Sequence, residues 1–258
     1  IVSGDLPGGY AEGLLLPLSG NWSSAVGLVV WRECTKIAFD SLRFASLTLE
    51  RHGLTVCPAK GQPILRYGGG VKIAAGVPSL DRSGKLGSTP IAIGSGPVGF
   101  AYPGIMTARR LQVSLGPRAT ATTFAVNDLT ARLGKAVSGT FSGTTAKLFS
   151  VPFDIVDAAG TWGYAKGRLG IADGTFRLLD RQEQARFQPL VAQGATLALK
   201  DNVISADAVL RQPTTRREIT DLTLRHDLTT GKGQADLAVP GIVFDSKLQP
   251  QPPASECV

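Results

Sequence analysis

Residues 94–99 read Gly-Ser-Gly-Pro-Val-Gly and match the GxGxxG pattern of dinucleotide-binding sites. Such a site needs a helix directly after the glycines, because the helix N-terminus binds the pyrophosphate. Here the next residues are Phe-Ala-Tyr-Pro-Gly, and no acidic residue follows about twenty positions further on. We therefore expect a β-turn at 94–99 and no nucleotide cofactor.

Residues that could support hydrolysis are scattered. The sequence has no GxSxG elbow, and no Gly-Lys pair is followed by the Ser or Thr of a P-loop. Of the two histidines, His52 and His226, the second is predicted to end a strand. Asp154, Asp157 and Asp173 are interpreted as turn residues, where Asp bonds to its own backbone. The sequence predicts that the protein is not an enzyme.

Cys34 and Cys57 flank 22 residues that read as strand, turn, strand, a spacing that a hairpin can bring together. In an oxidising compartment a bridge between them would add about 3 kcal/mol of stability. Three free thiols in a reducing compartment remain the alternative, and Cys257 is left over in either case. No Cys/His cluster indicates a metal site.

The net charge of +7, from 27 Lys and Arg against 20 Asp and Glu, permits contact with an anionic partner. The basic residues are spread thinly, which favours solvent-facing charge over a dedicated anion site. Trp162 and Tyr164 stand near Lys166 and Arg168, as in single-strand nucleic-acid binders. We place these four on the face opposite Leu169 and Ile171 and interpret the aromatics as packing at a sheet margin, with no nucleic-acid partner.

The elements that would position any site are strands. Gly makes up about 12% of the chain, against about 7% usually, which indicates many turns and strand ends. Period-two alternation recurs between turn residues, for example before Gly116-Pro117 and on either side of Asp173-Gly174. Residues 181–184 are interpreted as the tip of a hairpin. The predicted fold is all-β, a long curved antiparallel sheet with one apolar face, one wet face and little or no helix.

One apolar lining is expected to unite alternating residues from several strands. Its predicted members are Leu111, Val113, Leu169, Ile171, Phe176, Leu178, Leu197, Leu199, Leu222, Leu224, Leu237 and Val239.

The chain opens on Ile1 and ends after a Gln/Pro-rich stretch, so we expect a piece of a longer protein. Residues 1–258 are interpreted as one continuous segment. Within it, 1–30 form a poorly defined start and 251–258 a disordered tail. Apolar runs fall short of the ~20 residues that a spanning helix needs.

Several segments between about residues 30 and 250 carry a family resemblance. They are Val-Cys-Pro at 56–58, Ile-Ala-Ile at 91–93 leading to Gly96, Gly-Pro-Arg-Ala at 116–119, residues 160–169, Ala-Arg-Phe-Gln-Pro-Leu at 185–190, and residues 226–233 and 241–250. These segments resemble the YdbH family of the AsmA-like group, to which TamB and YhdP also belong.

The resemblance implies a taco-shaped β-groove in the periplasm that conducts phospholipid acyl chains between inner and outer membranes. It also implies an inner-membrane anchor and a small outer-membrane lipoprotein that extends the groove by strand addition. A structural or adhesive β-solenoid or sandwich of the cell envelope is the alternative, with the apolar residues as a dry core. A carbohydrate-binding β protein is a third reading.

Overall fold

The computed structural model describes residues 1–6, 9–44, 46–134, 136–149, 152–227, 230 and 232–239. The described residues form twenty strands, and their only helical element is a 3-10 turn at Arg118–Thr120. Every strand belongs to one antiparallel sheet. The all-β prediction, with a long antiparallel sheet, is confirmed.

The first ten strands are β1 (Val2–Leu6), β2 (Gly9–Leu14), β3 (Gly20–Ser23), β4 (Gly27–Val30), β5 (Thr35–Phe44), β6 (Leu47–Pro58), β7 (Leu65–Tyr67), β8 (Val71–Val77), β9 (Leu80–Leu86) and β10 (Thr89–Ser95). The second ten are β11 (Val98–Tyr102), β12 (Ile105–Leu115), β13 (Thr122–Arg132), β14 (Val137–Lys147), β15 (Phe153–Ala165), β16 (Arg168–Asp180), β17 (Leu190–Lys200), β18 (Val203–Arg211), β19 (Glu218–Asp227) and β20 (Gly233–Ala238).

From β12 to β20 each strand pairs with the next one in sequence. Short turns connect them. Asp201 and Asn202 both have positive φ and link β17 to β18, the backbone conformation that a two-residue hairpin turn requires. Residues 181–184 lie in the loop between β16 and β17, so the interpretation as a hairpin tip is confirmed.

Before β12, two long strands are interrupted in the middle. β8 and β9 pair with β11 and β10 in one continuous register, in which Val77 faces Val98 and Leu80 faces Ser95. The chain therefore bends at 78–79 and again at 96–97 without reversing. The β-turn predicted at 94–99 is wrong, because Gly96-Pro97 interrupts a strand whose two halves run in the same direction.

A line of irregularities crosses the middle of β12 to β17, and we call it the crease. On β12 the less exposed apolar positions are Met106 and Ala108 before Arg110, but Leu111 and Val113 after it, so the alternation shifts by one residue. Residues with positive φ mark the shift on five of the strands: Arg110 (49°), Gly143 (57°), Asp157 (54°), Asp173 (53°) and Gly194 (73°). Bulges of this kind bend a strand and increase its twist, so the whole sheet bends along the crease.

The crease corrects the assignment of three aspartates to turns. Asp154 and Asp157 lie within β15 and Asp173 lies within β16, which runs unbroken from Arg168 to Asp180. A left-handed backbone suits Asp both in a turn and in a bulge, because its short polar side chain bonds locally. The predicted turn at Asp173-Gly174 is therefore a bulge.

Small residues form the floor of the bend. Seven of the thirteen buried hydrophobic residues among the described positions are alanines, and six of them lie on β12 to β17: Ala108, Ala131, Ala146, Ala158, Ala192 and Ala195. Only one large side chain, Val29, is fully buried among the described residues. All the described strands belong to one sheet, and its buried hydrophobic positions on β12 to β17 are alanines rather than large side chains.

Candidate functional site: the apolar face of the creased sheet

The crease divides the apolar face into two limbs. In the first limb, directly opposed residues connect six strands in one unbroken row of apolar side chains. The row runs through Val113, Phe124, Ala146, Ile155, Leu178 and Leu190. Directly opposed residues share a face of the sheet and lie about 4.5–5.5 Å apart at Cβ, so their side chains form a continuous surface.

The second limb carries a parallel row on the other side of the crease. It connects Trp162, Ile171, Leu197, Ala206, Leu224 and Ala235. A flanking row connects Tyr164, Leu169, Leu199, Ile204 and His226.

The two limbs share one face because β18 is regular. Its residues Ile204, Ala206, Ala208 and Leu210 alternate without a bulge, and they pair with residues of β17 on both sides of Gly194. Leu210 pairs with Ala192, which pairs with Phe176, whereas Ala206 pairs with Leu197. The bulges at Asp173 and Gly194 therefore keep the apolar side chains on one face where strict alternation would send them to the other.

The register brings eleven of the twelve predicted lining residues onto this face. Leu111 faces Val126, and Leu222 faces both Ala208 and Leu237. Val239 follows the last residue of β20 and has no register partner among the described residues. His226 is the second-last residue of β19, as predicted.

Trp162 and Tyr164 also belong to the apolar face, which corrects their predicted position. Tyr164 faces Leu169 and Trp162 faces Ile171 across a two-residue turn at Lys166-Gly167, where both φ angles are positive. The indole Nε1 of Trp162 donates a hydrogen bond to the Thr130 carbonyl at 3.0 Å. The bond passes over Gly139, the residue opposite Trp162 in the sheet. The indole N–H is therefore hydrogen-bonded, while the rest of the ring contributes apolar surface to the face.

The face is long compared with an acyl chain. Ten strand spacings separate β9 from β20, or about 48 Å at ~4.8 Å each. One leaflet occupies about half of the ~30 Å hydrocarbon core of a bilayer. Ile91 and Leu210 are buried along this length, whereas other large side chains, such as Phe176 and Leu197, are only half-buried. Apolar surface is therefore left for a ligand to cover.

The opposite face is polar. Two concavities, of about 1010 and 400 Å³, lie mainly on that side. The larger is lined by hydroxyl side chains that include Thr140, Thr161 and Ser205. Ion pairs such as Arg109–Asp128 at 3.6 Å and Arg177–Asp157 at 3.2 Å also lie among exposed side chains. The larger concavity is also lined by Trp162, Ile171 and Leu197, and the smaller by Ile93, Val113 and Phe124, so apolar side chains contribute to both.

Arg82 is a charged residue in the apolar register that the sequence did not reveal. It faces Ile93 and is 9% exposed, and its guanidinium donates to the carbonyls of Gly53, at 3.2 Å, and of Asp81. β6 pairs with β9 up to Leu49 and with β8 from Cys57 onward. Gly53 lies between these two stretches of pairing, and its carbonyl accepts the hydrogen bond from Arg82. Burial lowers the pKa of Arg82, and the nearby Asp81 partly opposes that shift.

The loop after β16 folds onto one rim of the first limb. Arg186 donates to both carboxylate oxygens of Asp180, at 2.7 and 3.0 Å, and lies 5.0 Å above the Phe153 ring. The hydrogen bonds from Arg186 hold the pKa of Asp180 well below its usual range. Phe187 packs against Phe153 with ring centroids 5.7 Å apart. The loop thereby adds the ring of Phe187 to the rim, against the ring of Phe153 on β15.

The structure joins Cys34 and Cys57 in a disulfide, with sulfurs 2.08 Å apart. Cys257 lies outside the described residues. Within the described part of the chain no group of His, Cys, Asp and Glu is arranged to hold a metal ion. No helix there is long and apolar enough to cross a membrane.

A creased antiparallel sheet with one continuous apolar face and no catalytic cluster among its described residues defines a class of elongated β-proteins built around an apolar surface. Residues 3–255 match the model of a family described as YdbH-like, intermembrane phospholipid transport protein YdbH. The chain belongs to this family, and the resemblance inferred from its sequence is confirmed. No curated protein and no solved structure matches the chain.

Proposed function

We propose that the apolar face binds phospholipid acyl chains and lets them slide along the sheet between the inner and outer membranes of the cell envelope. The observation that carries this proposal is the pair of unbroken apolar rows on the two limbs. Covering such a surface with acyl chains is favourable by about 25 cal/mol per Å² without any specific polar contact. Movement along the face would exchange one apolar contact for an equivalent one, and no chemical step is required.

The pattern of burial favours this function over a sandwich or adhesive solenoid. A dry core between two limbs would bury its large side chains fully, at the packing density of protein interiors. Among the described residues, six of the thirteen buried hydrophobic positions are alanines on β12 to β17. Leu210 is buried, but Phe176, Leu178 and Leu197 on the limbs keep part of their surface accessible.

The partner we propose is a small outer-membrane lipoprotein that adds a strand to the sheet. β20 is exposed along its whole length and, in the described part of the chain, pairs only with β19. An open edge with unpaired backbone groups is a template for another strand. Leu237, 62% exposed on β20, would continue the apolar face onto the added strand. The periplasmic location and the inner-membrane anchor are expectations from the family.

Site-specific photo-crosslinking in cells tests the proposal. A photoreactive residue at Leu178 is compared with one at Arg177, the next residue on the polar face, and Leu197 is compared with Thr196 in the other limb. We expect phospholipid adducts, identified by mass spectrometry, at Leu178 and Leu197 but not at their neighbours. Protein-only adducts at both leucines would mean that the limbs close into a sealed core, and the proposal would be abandoned.

A further inference from the structure

A small flap extends the second limb beyond β8. It consists of β3, β4 and β7, which are four, four and three residues long and pair in that order, with β7 pairing to the start of β8. Strands this short are not stable by themselves. The disulfide Cys34–Cys57 lies at the root of the flap, where β5 and β6 give way to β4 and β7, and Ile64 N donates to the Trp31 carbonyl there at 2.9 Å.

The tip of the flap exposes a row of four large apolar side chains. Trp22 faces Leu28, Leu28 faces Tyr67, and Tyr67 faces Val71. Their exposed fractions are 71%, 37%, 56% and 43%, in that order. On the same face, the next row inward includes Val30, which is only 8% exposed. A contiguous row of exposed large apolar side chains marks an interaction site, whereas single exposed apolar residues do not.

Basic side chains outnumber acidic ones on the flap. Arg32, Lys60, Arg66 and Lys72 lie on the flap or its connections, and Glu33 is the acidic residue among them. Arg66 and Lys72 alternate with Tyr67 and Val71, so they lie on the opposite face of the strands from the apolar row. They are directly opposed, an arrangement of like charges that destabilises a strand pair. Among the described residues none of these four cations forms an ion pair, so the flap and its connections carry a net positive charge.

We propose that the flap docks on the surface of a bilayer that contains anionic phospholipid. Trp and Tyr favour the interface between hydrocarbon and water, where the ring is buried and the polar atom stays wet. Lys and Arg beside such residues are attracted by the negative surface potential, by about fivefold in affinity per cation. The positive charge of the flap favours an anionic bilayer over a second copy of this chain, because two basic chains repel each other. Docking does not depend on acyl chains lying on the apolar face.

Vesicle flotation with the full, oxidised chain tests the proposal. One set of vesicles is pure phosphatidylcholine, and the other has three parts phosphatidylcholine to one part phosphatidylglycerol. We expect the wild-type protein to float with the mixed vesicles. A double variant, Trp22→Ser with Tyr67→Ser, should bind them about tenfold more weakly. The variant Arg66→Gln with Lys72→Gln should lose the preference for the mixed vesicles.

Two matched controls distinguish docking through the flap from nonspecific binding by other exposed aromatic or basic residues. Phe149→Ser removes an aromatic side chain that is 57% exposed elsewhere, and Arg216→Gln with Arg217→Gln removes two neighbouring cations from another loop. Both should bind like the wild type. The proposal is overturned if the wild type does not float, or if the aromatic double variant floats unchanged.

Hydrogen–deuterium exchange on the wild type gives a readout that does not depend on a variant folding. Mixed vesicles should slow exchange in residues 20–30 and 65–72. Protection confined to β12–β19 would overturn the docking proposal while leaving the proposed lipid binding intact. Protection of the flap that rises with protein concentration in the absence of vesicles would assign it to self-association and would also overturn the proposal.

Discussion

The two limbs and the flap are built from the same kind of element, but they depend on different stabilising interactions. The strands β12 to β19 are nine to thirteen residues long, and each is paired on both sides. The strands of the flap have three or four residues, with β3 at an open edge. Backbone pairing is extensive in the limbs, whereas the flap relies on a covalent link at its root. A single sheet can therefore combine long strands paired on both sides with a short, locally stabilised flap.

Removing the disulfide should cause the largest loss of stability, and that loss should be confined to the flap. The variant Cys34→Ser with Cys57→Ser loses a link that closes a loop with a sequence separation of 23 residues, worth about 3 kcal/mol by loop entropy. We expect faster hydrogen exchange in β3, β4 and β7 and little change in β12–β19. Cys257→Ser is the control that removes only the third cysteine. Equal acceleration in both regions would show that the flap and the limbs unfold as one unit.

A substitution at Gly139 should instead weaken the limbs. A Cβ at this position would lie 1.8 Å from the Thr130 carbonyl oxygen, a backbone atom that cannot move away cheaply. Overpacking of this kind costs about 1–3 kcal/mol, so Gly139→Ala should lower the melting temperature by several degrees. At Gly163, on the neighbouring strand, the nearest atom would be 3.7 Å away. Gly163→Ala is therefore the matched control, and an equal loss in both variants would contradict the packing argument.

The difference between the two regions also explains which parts of the fold were predictable. Alternation and turn chemistry identify the limb strands, because β17 and β18 pair through neighbouring residues and Asp201-Asn202 has the backbone preference of a tight hairpin. The flap has no such local signal. β4 pairs with β7 more than thirty residues away, and three-residue strands are too short to show a period.

Bulges limited the prediction of the site. Asp173-Gly174 has the composition of a hairpin turn, and only the pairing partner distinguishes a turn from a bulge within one strand. The placement of Trp162 was wrong for a different reason. Lys166-Gly167 is a two-residue turn, so Tyr164 must face Leu169, and that rule was available in the sequence. The division into domains and the lipid-binding role of the lining residues stay predictions.

Lowering the pH should cause the smallest loss of stability, and that loss should arise at the rim loop of the first limb. The folded-state pKa of Asp180 is lowered, chiefly by the hydrogen bond from Arg186, with the backbone N–H groups of Arg186 and Gln182 also donating to its carboxylate. A lowered pKa contributes stability that is fully present above the unfolded value of about 3.9 and is lost as the pH falls toward the folded value. The melting-temperature difference between the wild type and Asp180→Asn should therefore be constant at neutral pH and shrink below about pH 4.

Asp173→Asn is the matched control at neutral pH, because Asn tolerates the left-handed backbone at the bulge and the substitution removes the same charge. It should leave the amide exchange rate of Arg186 unchanged. The amide exchange rate of Arg186 localises the effect, since this N–H donates to Asp180 at 2.8 Å. If the amide of Arg186 keeps its protection in Asp180→Asn, the negative charge at position 180 is not needed to order the rim loop. Phe187 would then be held against Phe153 independently of pH.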